Sequence, residues 1–182
     1  MTRYHQILRV IEEVKPQSIC EIGTWNGRRA ISMINHASAY HSSINYTGYD
    51  LFEEATQESD KEEFNVKNHN KLADVLLSIK RNVPKSAVVW LRIGNTRQSL
   101  KRGGFDLVWL DGGHSVETIR HDFDMIKHSR CILLDDYYTG AEIDTDKFGC
   151  NFIREEFGGT LLPVKDRVAG GGHVQILRID NV

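Results

Sequence analysis

Three near-continuous apolar runs, AVVWLRI (87–93), FDLVWLD (105–111) and CILLD (131–135), constrain this chain more than any other feature of its sequence. A strand with one face in water alternates apolar and polar residues. A strand that is apolar throughout needs cover on both faces, which is the situation in a mostly parallel sheet flanked by helices. The three runs are therefore expected at the centre of such a sheet. Between the last two, Val116, Ile119, Phe123 and Ile126 recur at helical spacing, with Ser115 placed to cap the helix start.

The same alternation begins earlier. Tyr4, Ile7, Leu8, Ile11 and Val14 form an amphipathic stripe that Pro16 stops, and SICEIG (18–23) reads as a strand ending in a glycine turn. Asn26 can cap a helix carrying Ala30, Ile31, Met33 and Ile34. INYTGYDLF (44–52) reads as a second strand, and Leu72, Val75, Leu76 and Ile79 mark a helix that finishes before Pro84. At the end of the chain, TLLPVKDRV and HVQILRI are separated only by AGGG, so these two strands should be antiparallel neighbours. Pro163 cannot donate to a ladder, which places its strand at an edge. The expectation is a doubly wound α/β fold: a seven-stranded, mostly parallel, Rossmann-like sheet with a C-terminal antiparallel hairpin.

The 182 residues suit one domain spanning 1–182. With 40% hydrophobic and 26% charged residues, and no run near the ~18 apolar residues of a membrane span, the chain reads as soluble and without a membrane partner. Its net charge of -2 is dispersed and offers no broad positive face for nucleic-acid phosphates. Cys20, Cys131 and Cys150 lack CxxC spacing, and the start MTRYHQILRV lacks the apolar core of a signal peptide, so a cytoplasmic location is expected. Cys20 and Cys131 lie in apolar runs and read as buried packing residues.

Ligands of doubly wound sheets bind at the carboxyl ends of the strands, here just after residues 23, 50, 94, 111 and 135. Glu21-Ile22-Gly23-Thr24-Trp25-Asn26-Gly27 forms the first such turn. Its G-x-x-x-G spacing departs from the G-x-G-x-x-G of a pyrophosphate cradle. Asp50 ends the second strand, 23 residues after Gly27, where a carboxylate can accept hydrogen bonds from both ribose hydroxyls of an adenosine ligand. An adenosine-bearing ligand without a pyrophosphate is the reading that follows.

EIGTWNGRRA, YTGYDLFE, RIGNT, DLVWLDGGHSVETIRHDF and ILLDDYY, in this order and spacing, resemble class I S-adenosylmethionine-dependent methyltransferases, and more narrowly the catechol-type and sugar O-methyltransferase branch. The resemblance covers roughly residues 18–180. It implies S-adenosylmethionine as cofactor, with Glu21 and Gly23 near the methionine amino and carboxylate groups and Thr24, Trp25 and Gly27 in the same turn. Asp50 and Leu51 would lie at the ribose, Asn95 or Thr96 at the adenine, and Asp111 beside the cofactor. It also implies that Asp111, Asp135 and Asp136 hold a divalent cation, magnesium or another hard ion, for which oxygen ligands are suited. His114 falls where related enzymes carry a basic residue, and with Asp111 is the candidate catalytic pair.

The chemistry explains why a cation is expected. An imidazole near pKa ~6.5 is roughly nine units short of an alcohol near ~16, about 12 kcal/mol for full deprotonation, whereas a phenol near ~10 needs far less help. The expected acceptor is a small hydroxylated molecule, and a homodimer is open. Adjacent aspartates in a continuous strand point to opposite sides, so Asp135 and Asp136 converge only if the strand is interrupted. His114, His121 and His128 repeat every seven residues, about 10.5 Å along a helix, too far apart for one ion. Trp25, Tyr137 and Tyr138 are candidates for the acceptor wall. The polar stretch 53–70 reads as a solvated loop and first helical turn, with a lid as the alternative. Since little chain precedes the first strand, 53–70 and 137–150 are the segments expected to cover the site. A metal-dependent hydrolase using Asp111, His114, Asp135 and Asp136, and a cofactor-binding protein without turnover, are the competing readings.

Overall fold

The structure, a computed structural model, describes residues 2–140 and 142–181. Helix α1 (His5–Val14) precedes strand β1 (Ser18–Ile22), which leads into α2 (Arg28–Ala37). Next come β2 (Asn45–Asp50), α3 (Gln57–Glu62), α4 (Leu72–Asn82), β3 (Val88–Ile93), α5 (Thr96–Ser99), β4 (Leu107–Leu110) and α6 (Val116–Ile126). The chain ends with β5 (Cys131–Thr139), α7 (Asn151–Phe157), β6 (Thr160–Leu161), β7 (Asp166–Arg167) and β8 (His173–Asp180). The sheet runs β3-β2-β1-β4-β5-β8-β6, with β7 also on β8. Strands β1 to β5 are parallel to one another, and β8 runs antiparallel to β5.

Each inner strand feeds two cores, because successive side chains leave opposite faces of the sheet. Ile19 and Trp109 pack with α1, α2 and α4 through Ile11, Met33, Ile34 and Ile79. Their neighbours Cys20 and Leu110 pack on the other side with Ile119, Phe123 and Ile126 of α6 and Ile153 of α7. This double cover is what the apolar runs at β4 and β5 require.

The run at 87–93 behaves differently from expectation. Its strand β3 is the outer edge of the sheet, with Val89 buried but Val88 and Trp90 41% and 57% exposed. Helix α4 shields one face through Val75 and Ile79, and no element among the described residues buries the other. The apolar character of this strand was a sound indication of strand, and a poor one of position.

At the C-terminal edge the expected strand 160–168 is split into β6 and β7, both antiparallel to β8. Pro163 falls in the gap, where no ladder hydrogen bond is asked of it. Among the described residues the strand count therefore rises from seven to eight without a change of topology. Ser115 caps α6 as expected, accepting from Thr118 N at 3.3 Å. Helix α2 is capped otherwise: Gly27, at φ 75°, is its N-cap, and Asn26 Oδ1 accepts from Arg28 N at 3.1 Å. No described helix is long and apolar enough to cross a membrane.

Candidate functional site

The parallel strands end together at one rim of the sheet, and a cavity of about 400 Å³ opens there. Glu21, Gly23, Thr24 and Trp25 line it from the turn after β1, and Asp50 and Leu51 from the end of β2. Asn95 and Thr96 contribute after β3, and Asp111 and His114 after β4. Sequence reasoning thus placed ten residues that the fold brings to one hollow. Asp135 and Asp136, expected at the same site, are not among the lining residues, and neither is Gly27. A Cβ at Gly27 would meet Ile79 Cγ1 at 2.9 Å, so its role is close packing of α2 on α4.

The first turn is shaped by hydrogen bonds that the sequence alone does not show. Asp50 Oδ2 accepts from Trp25 N at 2.7 Å, and Asp50 Oδ1 accepts from Phe52 N at 2.9 Å. One carboxylate thereby holds together the turns that follow β1 and β2. Asn95 Oδ1 accepts from Arg97 N at 2.9 Å and caps α5, which leaves its amide hydrogens for a ligand.

Glu21 lies at the floor of the cavity, 1% exposed, and accepts a short hydrogen bond from Tyr46 Oη, which is fully buried. Burial raises its carboxyl to about 8, against the opposing pull of the Tyr46 hydrogen bond and of Arg29. Between the ordinary carboxyl value and about 8 the folded state therefore holds a proton that the unfolded chain has lost. Its contribution to stability is complete at low pH and is lost as pH rises through that window, at up to about 1.4 kcal/mol per pH unit. Glu21→Gln is expected to flatten the pH dependence of the urea midpoint between pH 5 and pH 8. An unchanged slope would show that Glu21 is ionised throughout. Asp122, buried on α6 and raised by burial to about 7, adds a slope of the same sign that remains in the variant.

The acidic residues are distributed differently from the expected three-aspartate cradle. The pairing of β5 with β8 shifts register between Leu134 and Tyr137, and Asp136 inside that bulge has φ 63°. The bulge re-aims the two neighbouring carboxylates. Asp135 is buried, and both of its oxygens are engaged by Arg3: Nε to Oδ1 at 2.9 Å and Nη2 to Oδ2 at 2.6 Å. Asp136 Oδ2 lies 3.5 Å from His114 Nε2, while its Oδ1 accepts from Tyr138 Oη at 3.0 Å. Asp111 Oδ2 pairs with Arg29 Nη1 at 2.9 Å. Among the described residues, the three whose ligand atoms come within 4.8 Å of one another are Asp111, His114 and Asp136, with His114 where Asp135 was expected. Burial, then the neighbouring Asp135 carboxylate, pushes the Asp111 and Asp136 carboxyls up.

The polar stretch 53–70 is solvated, with no buried residue in it, yet it also carries α3 and lines the cavity. Thr56 and Ser59 form a reciprocal capping box at the start of α3, and Asp60, Glu63, Asn65, Lys67 and His69 line the cavity. Glu63 accepts from Ser115 N at 2.8 Å and from Thr118 Oγ1 at 2.5 Å, and Trp25 Nε1 donates to Asn68 O at 2.9 Å. The segment 142–150 reaches the same place from the other side, with Gly149 N donating to His114 O at 2.9 Å and the Phe148 ring tilted against that of Phe64, centroids 5.7 Å apart. Of the aromatic residues proposed for an acceptor wall, Trp25 lines the cavity; Tyr137 and Tyr138 lie outside it, and Tyr137 Oη accepts from Arg154.

Sequence reasoning missed Arg3, Tyr4, Arg29 and Glu63. For Arg29 a signal existed. Arg28 and Arg29 occupy the first turn of α2, where the helix dipole disfavours cations, so at least one of them needed another reason to be there. That reason is Asp111. The three cysteines are buried with their thiols raised chiefly by burial, in keeping with packing roles.

A sequence profile described as a methyltransferase domain matches residues 20–137, more than half of the chain. No curated protein matches it. Among solved structures, the O-methyltransferase NovP superposes with a TM-score of 0.68 at 15% identity, over 99% of this chain and 79% of NovP. The N-methyltransferase NodS of Bradyrhizobium japonicum WM9, solved with S-adenosyl-L-homocysteine, gives 0.64 at 15% identity, over 98% of this chain and 85% of NodS. TomG of Streptomyces achromogenes, an O-methyltransferase of tomaymycin synthesis solved with S-adenosylmethionine, gives 0.60 at 14% identity, over 98% and 79%. The profile match and the strand order lead to one conclusion: this chain belongs to the methyltransferase-domain family and has the class I methyltransferase fold.

Proposed function

We propose that the chain transfers the methyl group of S-adenosylmethionine to an oxygen atom of a small hydroxylated acceptor. The observation that carries this reading is the continuity of one cavity from Glu21, Gly23 and Asp50, through Asn95 and Thr96, to Asp111 and His114. Asp50 and Asn95 would hold the adenosine end of the cofactor and Glu21 and Gly23 its methionine end, leaving Asp111 and His114 on the side where the methyl group would be transferred. The ammonium group of the cofactor would favour the ionised form of Glu21, whose proton would pass to solvent as a charge partner took its place.

The reaction is an in-line displacement. The acceptor oxygen forms a bond to the methyl carbon as the carbon–sulfur bond breaks, S-adenosylhomocysteine leaves, and the acceptor proton passes to His114 Nε2. Asp136 Oδ2 lies 3.5 Å from that nitrogen. Imidazole as a general base is matched to a phenolic or similarly acidic hydroxyl rather than to a simple alcohol. NovP and TomG, both O-methyltransferases, support the direction towards oxygen; NodS is an N-methyltransferase, and an amine acceptor is the outcome that would redirect it. The divalent cation expected from the resemblance fits poorly, because Arg3 takes both oxygens of Asp135 and Arg29 takes one of Asp111. No step is assigned to a cation.

Calorimetric titration with S-adenosylhomocysteine is expected to show one site. In assays with radiolabelled S-adenosylmethionine and a panel of phenols, alcohols and amines, methylation should be confined to hydroxylated acceptors. His114→Gln is expected to lower kcat by roughly 10²–10³-fold with little change in S-adenosylhomocysteine affinity. Absence of binding would overturn the reading and favour a hydrolase. Unchanged kcat in His114→Gln would remove the histidine from the proton path.

A further inference from the structure

We propose that Arg3 and Arg29 are the built-in cations of this site, with Arg3 seated on Asp135 where a divalent ion would otherwise bind, so that the site works without a metal. The inference rests on the methyltransferase reading above and concerns how its acidic cluster is neutralised. Three carboxylates, Asp111, Asp135 and Asp136, stand at adjacent strand ends, and two of them carry a guanidinium each. Two guanidinium charges equal the charge of one divalent ion.

The arrangement is built rather than incidental. The Arg3 side chain is 12% exposed and that of Asp135 1%, so neither charge is left to water. The two-pronged contact through Nε and Nη2 matches the planar carboxylate and sets a fixed positive charge against both of its oxygens, where a hard cation would have to approach. The other atoms of the guanidinium are also held: Nη2 donates to Tyr4 Oη at 2.8 Å, and Nη1 donates to Asp166 Oδ2 of β7 at 3.3 Å. Tyr4 in turn donates to Asp135 Oδ2 at 3.2 Å. Its ring is shared by both arginines, whose guanidinium carbons lie 4.5 Å (Arg3) and 3.8 Å (Arg29) from its centroid. Residues 3 and 4 thus tie the N-terminus to the C-terminal edge of the sheet, and Tyr4 itself lines the cavity.

A divalent ion entering the remaining triangle of Asp111, His114 and Asp136 would meet Arg29 on its first ligand and Arg3 on the residue next to its third. Repulsion from two fixed cations makes that position unfavourable for a third. Removing Arg3 should therefore create a metal site, in contrast with the usual expectation that losing a charged residue from an active site only weakens it.

Manganese titration followed by electron paramagnetic resonance tests this on the full chain. Wild type is expected to show no saturable site below about 1 mM, and Arg3→Gln a site at least roughly tenfold tighter. The double variant Arg3→Gln/Asp135→Asn should lose that gain. If Arg3→Gln does not fold, Arg3→Met, which keeps the aliphatic stem without the charge, serves the same comparison: a gain in manganese affinity supports the proposal and an unchanged affinity overturns it. Saturable wild-type binding at tens of micromolar, abolished by Asp135→Asn or by His114→Ala, also overturns it. Binding of S-adenosylhomocysteine, measured on the same wild-type sample, fails only if the methyltransferase reading fails, whatever manganese does.

Discussion

Gly23→Ala is expected to destabilise the protein by at least about 3 kcal/mol and to abolish measurable binding of S-adenosylhomocysteine. Gly23 has φ 91°, and a Cβ at this position would sit 1.9 Å from the carbonyl oxygen of Asp111 and 2.8 Å from the Cα of Gly112. These are backbone atoms of the neighbouring strand end, so no side-chain rotation can relieve the overlap. The turn after β1 would have to move away from the turn after β4, yet both are fixed: Gly23 N donates to Tyr49 O at 2.8 Å and Asp111 N to Ile22 O at 2.8 Å. For a chain of this size the loss corresponds to a fall in Tm of about 6–12 °C. Gly140→Ala is the control. It also has a positive φ, 62°, but nothing lies within 4 Å of its Cβ position, so only the strain of a positive φ, about 1–2 kcal/mol, should appear. Similar shifts in the two variants would show that the approach of the two turns is not what demands glycine at position 23.

This glycine also marks how far the sequence could be read. Its place between an apolar strand and a helix was legible, because a turn at a strand's carboxyl end is a local pattern, and the same holds for Asp50, Asn95, Asp111 and His114. What was not legible depended on partners distant in the chain. Asp135 and Asp136 are adjacent in sequence, and only the register shift against β8 determines that one turns to Arg3 and the other to His114. Tyr4 fitted the apolar stripe of α1, but it stands just before the first turn of the helix and faces Asp135, 131 residues away. The strand at 88–93 had the composition of a central strand, and its place at the edge follows from chain connectivity, which composition does not encode. The polar stretch 53–70 is solvated as its composition indicates, but the hold of its Glu63 on Ser115 and Thr118 was not legible, because those partners lie more than 50 residues on. Pro163 was informative because the restriction it imposes is local and absolute: a missing N–H cannot be supplied by any partner.

Asp50→Ala is expected to weaken S-adenosylhomocysteine binding by roughly 10²–10³-fold, equivalent to about 3–4 kcal/mol. Two separate losses combine. Each Asp50 oxygen accepts one backbone hydrogen bond, from Trp25 N and from Phe52 N, and each keeps a second lone pair for a ribose hydroxyl. Alanine removes the ribose contacts and also frees the turn that carries Gly23, Thr24 and Trp25. Asp50→Asn separates the two contributions. Its amide retains one acceptor, so one of the two backbone bonds survives, while the NH2 group is set against the other N–H. Adenosine alone provides the second arm of the measurement, since it presents the ribose without the methionine end. If Asp50 contacts the ribose, adenosine and S-adenosylhomocysteine should lose affinity together in Asp50→Ala. If Asp50 only shapes the turn, the larger ligand, which reaches Gly23 and Glu21, should lose far more than adenosine, and Asp50 would be a positioning residue for the glycine turn with no contact of its own to the cofactor.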